Sequence, residues 1–599
     1  MNKKVFSLLL SLIVSVFLVI KFSLEPIFSL LIFVIGFILI DYSLKHTKKK
    51  YTKISIITSI VLSIIYVICD SLEYSSFLAV IDKYLLLNLS SYFIIFYFSI
   101  SNIFAFMDKY KKSIKEDRKI YISNKEIFTT SKFSFIVNFS LILIVNLLFL
   151  IKFYPGNLTY DSYNELMQAK GIIPLMNNHS ILHTSVLMLF VKFGMLFKSI
   201  NLGVFLYLLF QNALVSLVFS YILHFMAKEK IPVGIRIISL MFFAFHPINI
   251  FYSISVWKDV FFSICFAIFT ILIYYYINNK YYFNNKKNTI IFMIISILLM
   301  YLRNNGIYIV IITYIVLFII NRKLYKKLLP IFLGTISIFF ISRLILFNTL
   351  NIKDFEVKET LSVSSQAMAR IYKYDKNKLT KGEIKEIENY YSDKIGDVYN
   401  PKISDDTKNL LNEKYFKKHK SEYFKLNTKL FFKHNKTYVE AFLNNNYGYY
   451  YMNTYYPSIM LQKTDELGVK HAYVDSLFIL LFLVLIGLLL LLTVLWNLEE
   501  KKNILLLGLL LPVLISIPSK IQYNSLIQLL FNIGFYVTIV FVTLLYNIKN
   551  KKNIVHYIPI IILTVSMLFA PVYAEFRYLY PLFILVPIFI GLTLKKTDE

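Results

Sequence analysis

Uncharged apolar runs of about 17 to 25 residues recur along the whole chain, separated by short turns rich in Lys, Asn and Tyr. An α-helix needs about 20 such residues to cross the hydrocarbon core of a bilayer, so each run predicts a membrane span. About sixteen are expected: five before residue 153 (4–20, 26–44, 54–69, 84–106, 134–152), six more up to residue 347 (201–226, 233–250, 256–276, 289–302, 307–321, 328–347), and five at the end (473–497, 502–518, 525–546, 553–572, 577–595). Lys3 and Lys4 before the first apolar run resemble a signal peptide, but no small-x-small cleavage site follows, so the run is read as an uncleaved span. The 181–199 stretch is interrupted by Lys192 and Lys198. A span there would invert every later turn, so it is expected to be an interfacial or re-entrant helix on the outer face. One sizeable polar segment, 348–472, carries helix-like stretches at Lys381–Tyr391 and Asp405–Phe442. The expected fold is an all-α polytopic membrane protein with a helical extracytoplasmic domain inserted between late spans. It divides into extra N-terminal helices with a basic inner loop (1–133), a transmembrane core (134–347), the extracytoplasmic domain (348–472) and C-terminal helices (473–599).

Composition agrees: of 599 residues 57% are hydrophobic and only 17% charged, against about 25% charged in ordinary globular chains, which excludes a soluble protein of this size. The formal charge of +29 raises nucleic acid as a partner, but that requires the basic residues on one soluble face. They are instead dispersed over the turns. With the N-terminus inside, inner turns hold about 32 of the 64 Lys and Arg, the 348–472 segment about 21 and all outer turns about 11. The charge is therefore topological: no nucleic-acid partner is expected, and the chain reads as a multi-pass cell-membrane protein with both termini cytoplasmic. No G-x-x-x-x-G-K-[ST] or G-x-G-x-x-G occurs, which disfavours ATP-driven transport and a cytosolic nucleotide-sugar transferase. Cys69 and Cys265 both lie in apolar runs, so no disulfide framework is expected.

Polar side chains gather at the outer ends of the spans. They include Asp161, His179 and His183, Lys258 and Asp259, Arg303 and Asn304, and Glu575 with Arg577. Carboxylates, cations and imidazoles beside apolar helices suit an anionic lipid head group and a proton acceptor. Lys258, Arg303 and Arg577, brought by three separate spans, are expected to converge on the phosphate of such a head group. Each has a plainer reading: Asp161 as the cap of a helix starting at Ser162 or Tyr163, Trp257 and Lys258 as an interfacial anchor, Arg303 as a snorkelling cation. His179 and His183, spaced i, i+4, could ligate a divalent metal with Asp161 or Glu165 as a third ligand, but no metal or other cofactor is firmly expected.

Taken in order, an outer-loop Asp161, the stretch His179-Ser180-Ile181-Leu182 and a late Glu575-x-Arg577-Tyr578 resemble the GT-C superfamily of integral-membrane glycosyltransferases. Pro155-Gly156, Asp161-Ser162, Gln168-Ala169, His183-Thr184, Trp257-Lys258-Asp259, Arg303-Asn304-Asn305-Gly306, Tyr399-Asn400-Pro401 and Tyr447-Gly448-Tyr449 resemble more closely an uncharacterised Gram-positive membrane family, from about Phe153 to the C-terminus, with the first four spans as an addition. The superfamily resemblance implies a GT-C-like fold, a polyprenyl-phosphate-linked sugar donor, a cell-envelope acceptor (wall glycan, lipid or protein) at the outer face, and the loop Asp as base. Ser162 stands where many such enzymes carry a second acidic residue, which argues against a two-carboxylate metal site. The alternatives are a flippase or carrier for lipid-linked saccharides and a non-catalytic envelope scaffold.

Overall fold

The computed structural model describes residues 3–22, 26–78, 84–116, 129–279, 281–320, 322, 325–353, 356–452, 467–469, 472–473, 529–548, 554–569 and 572–595. Among them, nine helices are long and apolar enough to cross a membrane, or ten if one bent pair counts as a single span. The protein is an all-α, membrane-embedded chain. The expected spans 473–497 and 502–518 lie outside the described residues.

The helices are α1 (Lys3–Phe22), α2 (Pro26–His46), α3 (Lys49–Ser75), α4 (Leu85–Glu116), α5 (Lys132–Lys152), α6 (Tyr160–Ala169), α7 (Ile181–Leu196), α8 (Ile200–Lys228), α9 (Val233–Phe245), α10 (Pro247–Ser253), α11 (Lys258–Asn278), α12 (Lys286–Leu302), α13 (Asn304–Ile320) and α14 (Tyr325–Thr349). Local chemistry sets their ends. Ser131 and Ser199 cap α5 and α8 by accepting the N–H of Ser134 and Leu202. Proline lacks an N–H and pushes its predecessor out of the helical region, so His246-Pro247 breaks the expected 233–250 span into α9 and α10, bent by 48°. The 16-residue α7 runs antiparallel along only the N-terminal half of α8. Its Gly194 meets the Gly203 backbone, where a Cβ would come within 2.4 Å, and further along Phe190 faces Phe210 and His183 faces Tyr207.

The polar segment folds around its own apolar cluster, from Leu361 to Leu430. It contains α15 (Ser362–Tyr374), α16 (Lys381–Tyr391), α17 (Asp405–Asn409), α18 (Glu413–Lys418), α19 (Lys420–Lys433) and α20 (Asn435–Asn446). The expected helix at Lys381–Tyr391 is present, capped by Thr380 and Glu383. The expected continuous stretch Asp405–Phe442 is four helices instead. Asn412 caps α18 with its side chain, and His419 and His434 leave the helical region with ψ near +40°. The chain closes with α21 (Ile533–Asn547), α22 (Ile558–Ser566) and α23 (Tyr580–Leu594).

A core built mainly from α5, α8, α11, α12 and α23 holds the molecule together. α11 and α23 are apolar on every side and enclosed by other helices, as such helices must be. The N-terminal helices join the rest through a polar seam. Asp70 accepts from Tyr451 and pairs with Lys21, while Glu73 takes Tyr447 (2.5 Å), Tyr573 (2.9 Å) and Lys402 (2.9 Å).

Candidate functional site

The turn after α5 is shaped by Pro155-Gly156. Gly156 has φ +123°, and a Cβ there would lie 1.9 Å from Leu208 and 3.0 Å from the Ile254 carbonyl, so only glycine fits. The chain then bridges to the segment before α11: Asn157 N–H donates to Ile254 O (2.8 Å), and Val256 N–H to Asn157 O (3.0 Å). This staple brings Asp161 to Lys258. The start of α6 is fixed by Thr159, whose N–H donates to Ser162 Oγ (3.0 Å), while Ser162 donates to Val256 O. Asp161 is therefore not the helix cap. Thr159 and Ser162 do that work, and the Asp161 side chain is left to face the cations.

Three cations arrive from separate elements. Arg577 donates to Asp161 Oδ2, and Lys258 Nζ stands 3.6 Å from the same oxygen. Arg303 occupies the break between α12 and α13. That corner is possible because Gly306 comes so close to Leu299 O that a Cβ would meet it at 2.0 Å. Arg303 pairs with the fully buried Asp259 at 2.8 Å. Both guanidinium groups lie over the ring of Tyr578, Arg303 at 4.5 Å and Arg577 at 4.9 Å from its centroid, so one aromatic ring links the two pairs. Glu575 completes this side, 3.4 Å from Arg577 Nε.

A second layer lies behind. Lys258 Nζ is 3.3 Å from His179 Nδ1, which is 3.8 Å from Glu165. Glu165 is 2.6 Å from His183 Nδ1, and His183 Nε2 meets the Tyr207 hydroxyl at 2.6 Å. Tyr207 donates to Gln211, whose amide holds the carbonyls of Tyr252, Ser253 and Ser255. This relay ties α6, α7 and α8 to the segment that carries Lys258. Both ring nitrogens of His183 are engaged by protein, and among the described residues no three His, Cys, Asp or Glu side chains are arranged to hold a metal.

Burial raises the Asp161 carboxyl, but the charges of Arg577 and Lys258 outweigh it and hold the group far below the usual carboxylate range. For Glu165, burial is likewise outweighed by His183, and the carboxyl is depressed. Burial and the Lys258 charge push the His179 imidazole down against the pull of Glu165 and Asp161, so it is neutral at neutral pH. Glu575 moves the other way: burial, helped by Asp161 and Asp259, raises its carboxyl despite Arg577. The carboxyls of Asp161 and Glu575, both paired with Arg577, are thus shifted in opposite directions.

The cluster is charged, buried and incompletely satisfied. Trp257 Nε1, Arg577 Nε, Arg303 Nη1 and the carboxylate oxygens of Glu165 and Asp259 are buried without an aligned hydrogen bond. Arg303 Nη1, Arg577 Nε and Glu165 still have opposite charges in range, at 2.8 Å from Asp259, 3.4 Å from Glu575 and 2.6 Å from His183, so their charges are matched while their hydrogen-bond geometry stays open. Of the residues singled out in the sequence, Asp161, His179, His183, Lys258, Asp259, Arg303, Glu575 and Arg577 all enter the cluster. Asn304 does not; it lies exposed at the start of α13. Tyr207 and Gln211 were not foreseen; Glu165 was named only as a third metal ligand, and Trp257 and Tyr578 only within the motifs around Lys258 and Arg577. Gln211-Asn212 inside an otherwise apolar span was the available signal, since polar side chains at that depth need partners.

No curated protein and no solved structure matches the chain. One family model matches residues 170–599, which leaves the 155–165 stretch with Asp161 and Glu165 just upstream and takes in His179, His183, Lys258, Asp259, Arg303, Glu575 and Arg577. The chain belongs to that family, DUF6020, a family of unknown function.

Proposed function

We propose that the protein is a glycosyltransferase of GT-C-like architecture, with about sixteen spans. It moves a sugar from a polyprenyl-phosphate-linked donor to a cell-envelope acceptor (wall glycan, lipid or protein) at the outer face of the cell membrane. The observation that carries this is the meeting of Lys258 and Arg577 on one oxygen of Asp161, with Arg303 beside the same Tyr578 ring as Arg577. Transfer needs a base for the acceptor hydroxyl and cations where negative charge grows on the leaving phosphate. As the acceptor oxygen bonds to the sugar's anomeric carbon, the bond from that carbon to the phosphate oxygen breaks. The hydroxyl proton passes to Asp161, and Arg577 with Lys258 stabilises the departing phosphate. The cationic ends of apolar helices leave the polyprenyl tail to lie among the spans.

The orientation follows from charge. The helix ends opposite the site carry Lys132, Lys228, Lys286, Lys287 and Lys595, and such turns stay on the cytoplasmic side. The site then faces outward and both termini inward. The test compares envelope glycans by mass spectrometry in a deletion strain complemented with the parent or with Asp161→Asn. A glycan lost on deletion, restored by the parent and not by the variant, is expected. Unchanged glycans on deletion would remove the transferase assignment.

A further inference from the structure

In the resting cluster every cation is already matched by a carboxylate. Arg577 and Lys258 share Asp161 Oδ2, and Arg303 is held by Asp259. An incoming anion must therefore take over cations that are in use. The two carboxylates differ in how firmly they are placed. The Asp259 side chain is 0% exposed, whereas that of Asp161 is 24% exposed. Asp161 is also not needed to begin α6, because Thr159 and Ser162 cap it. A guanidinium and an ammonium on one carboxylate oxygen form the arrangement that would hold a phosphoryl oxygen. Trp257 Nε1 and Arg577 Nε, buried and without aligned partners, are further donors that an anion with more oxygens could reach.

We propose that Asp161 occupies the anion position of this site in the resting protein, and that a phosphate enters by displacing it. The carboxylate then turns to the acceptor only once the phosphate is seated. The identity of the donor rests on the transferase reading; the exchange itself concerns phosphate alone. No covalent bond changes: phosphate oxygens replace a carboxylate oxygen on Arg577 and Lys258, and Asp161 keeps its charge. The exchange reconciles two roles that otherwise conflict. A carboxylate held between two cations is a poor base, because general-base catalysis is most effective when the pKa lies near the working pH. Released from them, it regains basicity. Binding is thereby ordered, donor first and acceptor second.

The exchange is tested on the full-length protein in detergent at fixed salt, with farnesyl phosphate as the lipid probe and inorganic phosphate as the head-group probe. Asp161→Asn keeps the size and removes the competing charge. It should bind farnesyl phosphate at least tenfold tighter than the parent, as should Asp161→Ser, whereas Arg577→Ala should bind at least tenfold weaker. The same tightening for inorganic phosphate would assign the exchange to the head group alone; tightening for farnesyl phosphate only would add the tail to the site. Equal or weaker binding of both probes by the two Asp161 variants overturns the exchange. So does failure of both variants to fold, since a carboxylate required for the fold cannot be the one that leaves. Tightening in the absence of any glycan change on deletion would keep the exchange and discard the transferase. A glycan lost on deletion with no tightening would do the reverse.

Discussion

Two arginine–carboxylate clusters in this protein are built from the same groups and finished differently. In the polar segment that holds α15 to α20, Arg370 is 0% and Glu440 2% exposed. The guanidinium gives two hydrogen bonds to Glu440 Oε2 (3.2 and 2.8 Å), one to Tyr399 (3.0 Å) and one to Ser76 O (2.6 Å). Glu440 also accepts from Leu78 N–H (2.9 Å). Arg370 thus fastens the domain to the loop after α3, and no atom of the pair is left over. At the site, by contrast, Arg577, Arg303, Asp259 and Glu165 keep buried atoms without aligned hydrogen bonds, and Asp161 stays partly open. A buried pair whose every hydrogen bond is made is costly to open, whereas one matched in charge but open in hydrogen-bond geometry can exchange partners at lower cost.

Substitutions should separate the two clusters. The largest effect is expected at the site: Asp161→Asn should lower transfer by about 10²–10⁴-fold, because the proton acceptor is lost, with an unchanged melting temperature, because Thr159 and Ser162 still cap α6. Loss of transfer together with loss of stability would make Asp161 a structural residue like Glu440. Next, Arg370→Met should destabilise the folded protein by about 3–5 kcal/mol, because it strands a buried carboxylate; thermal melts in detergent measure this. A melt shifted no further than that of Arg577→Met would erase the distinction between the clusters. Third, Arg577→Lys keeps the charge and loses the planar fork, so transfer should drop about 10²-fold, more than charge alone predicts.

The smallest expected effect is on acid stability. The folded-state pKa of Glu165 lies below its usual value, so its contribution is fully present above the unfolded pKa of about 4.3 and is lost as pH falls through the folded value. Between pH 5 and pH 3 the parent should therefore lose more melting temperature than Glu165→Gln. Parallel losses in the two proteins would show that Glu165 is not held by His183 as the relay requires. Orientation can be read separately. Cysteines placed at the exposed Tyr160 and Asn409 should react with an impermeant maleimide on intact cells, and protection of both until lysis would reverse the outward site.

Much of this was legible in the sequence because membrane helices are written in long apolar runs, and because charges at their ends cannot be hidden cheaply. The helix at Lys381–Tyr391 was readable from its capping residues. The breaks at His419 and His434 were not, since neither is a helix breaker by type and their partners are remote in sequence: the Tyr390 hydroxyl donates to His419 O (2.8 Å), and His434 Nδ1 lies 3.2 Å from Asp375. At the site, the cations and Asp161 could be named, yet their meeting depends on the Asn157 to Ile254 bridge and on the Gly306 corner. Those are long-range contacts that no local pattern encodes. The cap reading of Asp161 failed for a local reason: Thr159, two residues before Asp161, makes the cap with Ser162.

The central claim is that Asp161, Lys258 and Arg577 form the phosphate end of a lipid-donor site. The most direct measurement is native mass spectrometry of the full-length protein purified gently from its own membranes. A retained lipid of polyprenyl-phosphate mass, with or without a sugar, is expected on the parent and should be absent from an equally stable Arg577→Ala variant. Equal retention by both proteins, or no phosphate-bearing polyprenyl lipid on the parent, would contradict it.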